Sequence, residues 1–351
     1  MKEQSEDHRR IQLEQWSRQR AVELLQTPEA ASAELEIVSG DASFRRYFRL
    51  SFAEQSLIAV DAPPEHEDNP RFVAIAEMFS GAGVHAPQVL AKDFEQGFML
   101  LEDLGDGLYL DALLLAQQKE DFPRADQLYR DAIDALVQFQ LNIDKGRLDP
   151  YDSAELQREM GVFDEWFCAA YLELELDEAE RCLVQGCYDF LEQAALAQTE
   201  VAVHRDYHSR NLLITDANPG IIDFQDAVRG AYSYDLVSLL RDCYIRWDEP
   251  QLDLWLGYYH QQATSRGVIS DISKEQLRRD FDLMGLQRHL KVLGVFSRLF
   301  IRDKKSRYLA DIPLVMNYFL DVAAQYPELE EFLAWFHRKV LPAALMKLAI
   351  S

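Results

Sequence analysis

The chain has 351 residues, 48% of them hydrophobic and 11% aromatic, which supports a large core and more than one domain. With 36 basic against 60 acidic side chains the net charge is −24. Such a surface repels DNA, RNA and anionic membranes, so nucleic acid and membrane are set aside as partners.

Residues 8–26 read as an amphipathic helix that ends before Pro28, suited to packing across the back of a lobe. From Glu34 the pattern changes to strands: Leu35–Val38, Ser43–Ser51 and Ser56–Asp61, with Ser39-Gly40-Asp41-Ala42 as a hairpin turn between the first two. Pro63 and Pro64 break the chain before a helix over Arg71–Ser80, which Gly81 and Gly83 stop. Two further strands follow, Gln88–Ala91 and Gly97–Leu101. Beyond Gly105 the periodicity is helical. Leu128, Ala132, Leu136 and Phe139 recur at helical steps, as do Leu283, Leu286, Leu290, Leu293, Phe296 and Phe300. The expected fold class is α+β: a small five-stranded antiparallel N-terminal lobe with its helix over 1–103, and a mostly helical C-terminal lobe over 104–351. A hinge is expected near residues 100–105.

The cysteines, Cys168, Cys182, Cys187 and Cys243, form no C-x-x-C pair and read as buried or half-buried thiols. The first thirty residues are charged and lack a signal-peptide core, and no run reaches the roughly 18 apolar residues of a membrane span. The expectation is a cytoplasmic, monomeric protein.

The most informative run is VAVHRDYHSRNLLITDANPGIID, from Val201 to Asp223. His204-Arg205-Asp206, four residues and then Asn211 reproduce a kinase-type catalytic loop between apolar strands, and Ile221-Ile222 deliver Asp223. Phosphoryl transfer is mostly positioning and charge compensation. Asp206 would accept or orient the proton of an attacking hydroxyl. Asn211 and Asp223 offer oxygens to Mg²⁺, a hard cation.

On these motifs the chain resembles the aminoglycoside phosphotransferase family, the small-molecule branch of the bilobal protein-kinase-like fold, over roughly residues 35–270. Four segments look closer still to the bacterial anomeric kinases that act on N-acetylmuramic acid and N-acetylglucosamine in peptidoglycan recycling: GDASFRRYFRL from Gly40, VDAPPEHED from Val60, FMLLEDLGD from Phe98, and HLKVLGVFSRLFIRDKKSRYLADIP from His289. The resemblance implies ATP as co-substrate with Mg²⁺, and an amino sugar as acceptor. It implies Asp206 as catalytic base and Asn211 and Asp223 as metal ligands. It also implies a hinge, Leu101-Glu102-Asp103-Leu104, whose backbone reads adenine beside Met99, Leu100 and Leu104. Asp235 matches a family aspartate that holds the catalytic loop, while the residues alone also fit a helix N-cap. His204 is expected to hold the loop through a hydrogen bond.

Departures from the pattern matter as much. The third strand, Leu57-Ile58-Ala59-Val60-Asp61, carries no lysine, and the place of the partner glutamate on the following helix falls near Phe72. Arg45, Arg46 and Arg49 are the nearest cations for the nucleotide phosphates; strand alternation sends Arg45 and Arg49 to one face and Arg46 to the other. Solvent-facing arginines are the alternative. The Gly40 turn has one glycine, and the Ala42 and Ser43 amides would reach the phosphates. Asp223 is followed by Phe-Gln rather than Phe-Gly. His208 within the loop, Trp166 in Glu165-Trp166-Phe167, and Arg302 in the cluster Arg298, Arg302, Lys304, Lys305 and Arg307 are candidate substrate contacts. Arg210 is a candidate for offsetting charge at the metal. Besides an amino-sugar 1-kinase, two readings stand: a kinase for an aminoglycoside, choline or homoserine, and a nucleotide-binding scaffold without catalysis.

Overall fold

The computed structural model describes residues 2–39 and 44–348, without the side chains of 2–7 and 39. The chain forms two compact units. The first comprises residues 1–107 and 213–225, the second 108–212 and 226–351. The return of 213–225 to the first unit has no counterpart in a single boundary at 103/104.

The first unit is built on a five-stranded antiparallel sheet, β1 (Glu34–Ser39), β2 (Arg46–Phe52), β3 (Gln55–Asp61), β4 (Val89–Asp93) and β5 (Phe98–Glu102), in the order β1-β2-β3-β5-β4. Helix α1 (Lys2–Leu25) covers one face, and α2 (Asn69–Gly81) follows β3. Alternation along the strands decides what each face holds. Phe48, Leu50, Phe52, Leu57, Ala59, Phe98 and Leu100 form one apolar cluster with Leu13 and Trp16 of α1. Each large side chain there contributes about 1.5–3 kcal/mol by leaving water. Asp61 shares the α1 face and is buried between Arg9 of α1 and Arg46, which is 24% exposed. Tyr47, Arg49, Ile58, Val60, Met99 and Leu101 alternate to the other face. Gly97 must be glycine: its φ is +72°, and a Cβ there would lie 2.1 Å from the Ala62 carbonyl oxygen.

The second unit is helical around a small β element. In chain order it contains α3 (Tyr109–Gln118), α4 (Phe122–Asn142), α5 (Ser153–Val162), a π-helical segment (Phe163–Tyr171), α6 (Glu178–Leu196) and β6 (Glu200–Val203). The strand β7 (Leu212–Leu213), whose Leu213 already belongs to the first unit, pairs in a short ladder with β8 (Gly220–Ile221) of that unit. Then come β9 (Val228–Ala231), antiparallel to β6, and α7 (Tyr234–Leu240), α8 (Glu249–Arg266), α9 (Lys274–Ile301), α10 (Ile312–Ala323), α11 (Glu330–Trp335) and α12 (Leu341–Leu348). The apolar stripe Leu283, Leu286, Leu290, Leu293 and Phe296 runs along α9, which is buried among α5, α6, α10 and the π-helical segment. The close approach is made at Gly294, where a Cβ would come within 2.2 Å of the Val162 carbonyl oxygen.

Three cysteines are buried, but Cys182 is exposed, because it lies on the outer side of α6 while Cys187 faces the core.

Candidate active site

β6 delivers His204, Arg205 and Asp206 at its end, and the loop after it is pinned residue by residue. The backbone N–H groups of His204 and Arg205 donate to the two carboxylate oxygens of Asp235, at 2.6 and 3.0 Å. Helix α7 takes Ser233 as its N-cap, so the buried Asp235 carboxylate serves the loop rather than its own helix. Burial pushes that carboxyl up to about 7 against the two N–H bonds. The fully buried His204 accepts from the Asp206 N–H through Nδ1 at 3.3 Å. Tyr207 donates its hydroxyl to the Ala132 carbonyl of α4 at 2.7 Å. The Ser209 N–H donates to Asp242 at 2.9 Å. Asn211 closes the loop: its N–H donates to the His208 carbonyl at 2.8 Å and its side-chain amide to the Asp206 carbonyl at 3.0 Å. Arg205 absorbs the bend with φ +76°, a conformation that costs a non-glycine residue and persists only where neighbours hold it.

Four cations or potential cations surround the half-buried Asp206 carboxylate. Burial would raise it; Lys291 first, then Arg288, His208 and His204, outweigh that and hold it at about 2. Lys291 and Arg288 come from α9. Lys291 Nζ lies 2.9 Å from Glu159 of α5 and 3.0 Å from the Tyr234 hydroxyl. Arg288, only 3% exposed, donates to the Arg205 carbonyl at 3.2 Å. Glu159 also pairs with Arg205 and accepts from the Tyr151 hydroxyl. Burial opposes its charge, yet Lys291 and Arg205 keep it at about 2. The result is a connected ionic lattice in which Glu159 bridges Lys291 and Arg205, beside Asp206.

Asp223 belongs to the first unit. The segment carrying it is anchored there by Ile214 N–H to the Gly107 carbonyl and Ile221 N–H to the His85 carbonyl, both at 2.7 Å. Phe224 packs between Phe72 and Phe79 of α2, with ring centroids 5.3 and 5.5 Å away. Asp223 has φ +65°, and its Oδ1 accepts from Gln225 at 2.9 Å. An amide oxygen from Asn211 and carboxylate oxygens from Asp223 are hard donors of the kind Mg²⁺ takes. Among the described residues no group of three His, Cys, Asp or Glu side chains is placed to hold a metal alone.

The three arginines of the 45–49 stretch separate. Arg46 turns to α1 and Asp61. Arg49 is held by Asp103 and Asp106, at 2.5 and 2.7 Å, so its charge is matched locally. Arg45, 6% exposed, pairs with Glu67 at 3.0 Å. In the hinge the Glu102 N–H is committed to the Gln88 carbonyl at 2.9 Å, because β5 is a central strand. Asp103 and Leu104 lie beyond the ladder, while Met99 and Leu101 are buried in it. Ala42 and Ser43 lie outside the described residues.

In the second unit His208 is half-buried with its Nδ1 unpartnered, its ring edge-on to Tyr244, and burial lowers its pKa. Arg210 stacks on Tyr244 at 3.6 Å. Trp166 is half-buried on the π-helical segment while Phe167 fills the core. Arg302, 54% exposed, pairs with Asp303 at 2.8 Å. It sits about 16 Å further along the helix than Lys291, from a rise of about 1.5 Å per residue.

Sequence reasoning missed Lys291, Arg288, Glu159 and Glu67. One signal was present: Arg288 and Lys291 flank the apolar stripe of α9, and a charge beside a buried stripe needs a partner.

A model of the phosphotransferase enzyme family (APH) matches residues 34–268. The chain belongs to this family. The N-acetylmuramate/N-acetylglucosamine kinase of Pseudomonas aeruginosa is 44% identical over 303 residues, 86% of this chain and 88% of that protein. The protein of the same name from Neisseria meningitidis serogroup B is 42% identical over 298 residues, 84% of this chain and 87% of that one. Among solved structures, an ethanolamine kinase of Plasmodium vivax covers 85% of each chain with a TM-score of 0.61 at 11% identity, a likeness of fold. The fold is thus protein-kinase-like, α+β, with a five-stranded antiparallel sheet and a mostly helical remainder.

Proposed function

We propose that this protein is an ATP-dependent kinase that phosphorylates the anomeric hydroxyl of N-acetylmuramic acid and N-acetylglucosamine, acting in the cytoplasm, where ATP is supplied. The observation that carries the reading is a 42–44% identity with kinases named for these sugars, extending over most of both chains. Asp206 orients the acceptor hydroxyl. Asn211 and Asp223 are the side chains that would hold Mg²⁺, which supplies charge compensation to the phosphates. Leu104 and the hinge beyond the β5 ladder read the adenine edge, and Arg45 faces the phosphates. Asp235 and His204 hold the loop in shape.

The electrostatics of Asp206 favour this acceptor. A carboxylate held at about 2 is a weak proton acceptor, so it works by orientation more than by abstraction. An anomeric hydroxyl is more acidic than an ordinary alcohol and asks less of its base. The lattice around Lys291 keeps Asp206 ionised at every physiological pH. Trp166 offers an aromatic face for a pyranose ring.

The test is an acceptor panel with labelled ATP: N-acetylmuramic acid, N-acetylglucosamine, an aminoglycoside, choline and homoserine, with the phosphate located by NMR. Phosphate at C1 of an amino sugar is expected. Turnover of a cationic acceptor alone would transfer the reading to that substrate, and ATP binding without turnover of any acceptor would leave a scaffold.

A further inference from the structure

The kinase pattern places a lysine on the third strand and a glutamate on the next helix, and this chain lacks both. The sheet shows where those charges went. The β3 positions turned away from α1 are Ile58 and Val60, both apolar, while the ionisable Asp61 faces α1 and is consumed by Arg9 and Arg46. No cation reaches that face from β3. On α2 the expected glutamate position is Phe72.

Arg45 enters from the neighbouring strand instead. It directly precedes β2, whose Arg46 and Tyr47 pair in register with Asp61 and Val60. Its guanidinium lies 5.0 Å from the Phe72 ring centre, and its Nη2 is 3.0 Å from Glu67, which is itself only 12% exposed. Glu67 stands just before Asp68, the N-cap of α2, and also accepts from the Phe44 N–H at 3.2 Å. One carboxylate thus fixes two consecutive residues at the mouth of β2. Phe72 is a shared platform, since its other neighbour is Phe224, beside Asp223. Tyr47 connects the same groups: burial foremost, then the charge of Asp223, raises its pKa, and its hydroxyl bonds to Arg45.

We propose that Arg45 and Glu67 replace the lysine–glutamate pair, Arg45 binding the α- and β-phosphates of the nucleotide and Glu67 aiming it. A guanidinium carries five N–H donors in a rigid fork, so it can hold a carboxylate and a phosphate together. The Phe72 ring, 5.0 Å from the guanidinium, backs the fork. This rests on the reading of the chain as an ATP-dependent kinase.

The experiment is equilibrium binding of adenosine, ADP and MgATP to the full-length protein and to Arg45→Met, Arg45→Lys and Glu67→Gln. Arg45→Met is expected to weaken ADP and MgATP by about 10- to 100-fold and leave adenosine unchanged. Arg45→Lys, which keeps the charge and loses the fork, should fall between, and it carries the test if the methionine variant does not fold. Glu67→Gln should weaken MgATP by about 3- to 10-fold with adenosine again unchanged. Wild-type affinity for ADP and MgATP in the Arg45 variants, or an equal loss for adenosine, would overturn the proposal. If the wild-type protein itself binds no MgATP, it is the kinase reading that fails.

Discussion

The catalytic loop and the sheet face turned away from α1 handle charge in opposite ways. The loop keeps every residue of the kinase pattern and imports its counter-charges from α9, distant in sequence, through Lys291 and Arg288. The sheet face has lost the patterned pair, and its buried cation, Arg45, directly precedes the adjacent strand β2 with Glu67 as partner. The difference teaches that a motif specifies the groups whose chemistry is irreplaceable, whereas compensating charge needs only to arrive at the right place. A proton acceptor needs one set of atoms, while a neutralising cation can come from any neighbouring element.

The largest test of the loop side is Asp206→Asn, expected to reduce kcat by about 10²–10⁴-fold with MgATP affinity retained, as measured by turnover and direct binding. Asp235→Ala should follow, destabilising the protein by about 2–4 kcal/mol in a denaturant titration, because two buried N–H groups lose their acceptor. Lys291→Met probes the imported charge. Asp206 has a folded pKa of about 2, below its unfolded value near 3.8, so its stabilising contribution is present above about pH 4 and is lost as pH falls through about 2. Wild-type kcat/KM should therefore show no acid limb from Asp206 between about pH 5 and 8. Without Lys291 burial is less opposed, and the limb should move up by about 1–2 pH units, still below about pH 5, so that protonation of Asp206 costs no kcat/KM at pH 7. An unmoved limb would show that the α9 cation does not govern Asp206. Gly294→Ala should cost about 1–3 kcal/mol by forcing α9 off the Val162 backbone, readable as a lowered Tm. Arg302→Ala is expected to change stability by less than about 0.5 kcal/mol and to leave the KM for sugar unchanged, since its charge is spent on Asp303 in solvent.

What could be read in advance follows the range of each interaction. The strands and the helices α2, α4 and α9 announced themselves because burial periodicity is local, and the ends of β3, β5 and α2 fall within two residues of the expected ones. The loop from His204 to Asn211 was legible because its spacing is itself the chemistry. The π-helical turn at Phe163–Tyr171 was not, since its side chains repeat much as an α-helix does and only packing against α9 reveals the extra residue. Arg45, Arg46 and Arg49 were distinguishable by face but not by fate: their partners Glu67, Asp61 and Asp103 lie on other elements. Lys291 and Glu159 belong to the same class, a pair that only tertiary folding introduces.

The anchoring of residues 213–225 by His85 and Gly107 has a practical consequence for anyone who would shuffle this enzyme with its relatives. Because the polypeptide leaves the first unit, comes back for thirteen residues and departs again, no single crossover point yields an intact half. A chimaera joined once near the hinge would graft a sheet from one parent onto a foreign return segment. A viable exchange has to transplant both stretches together.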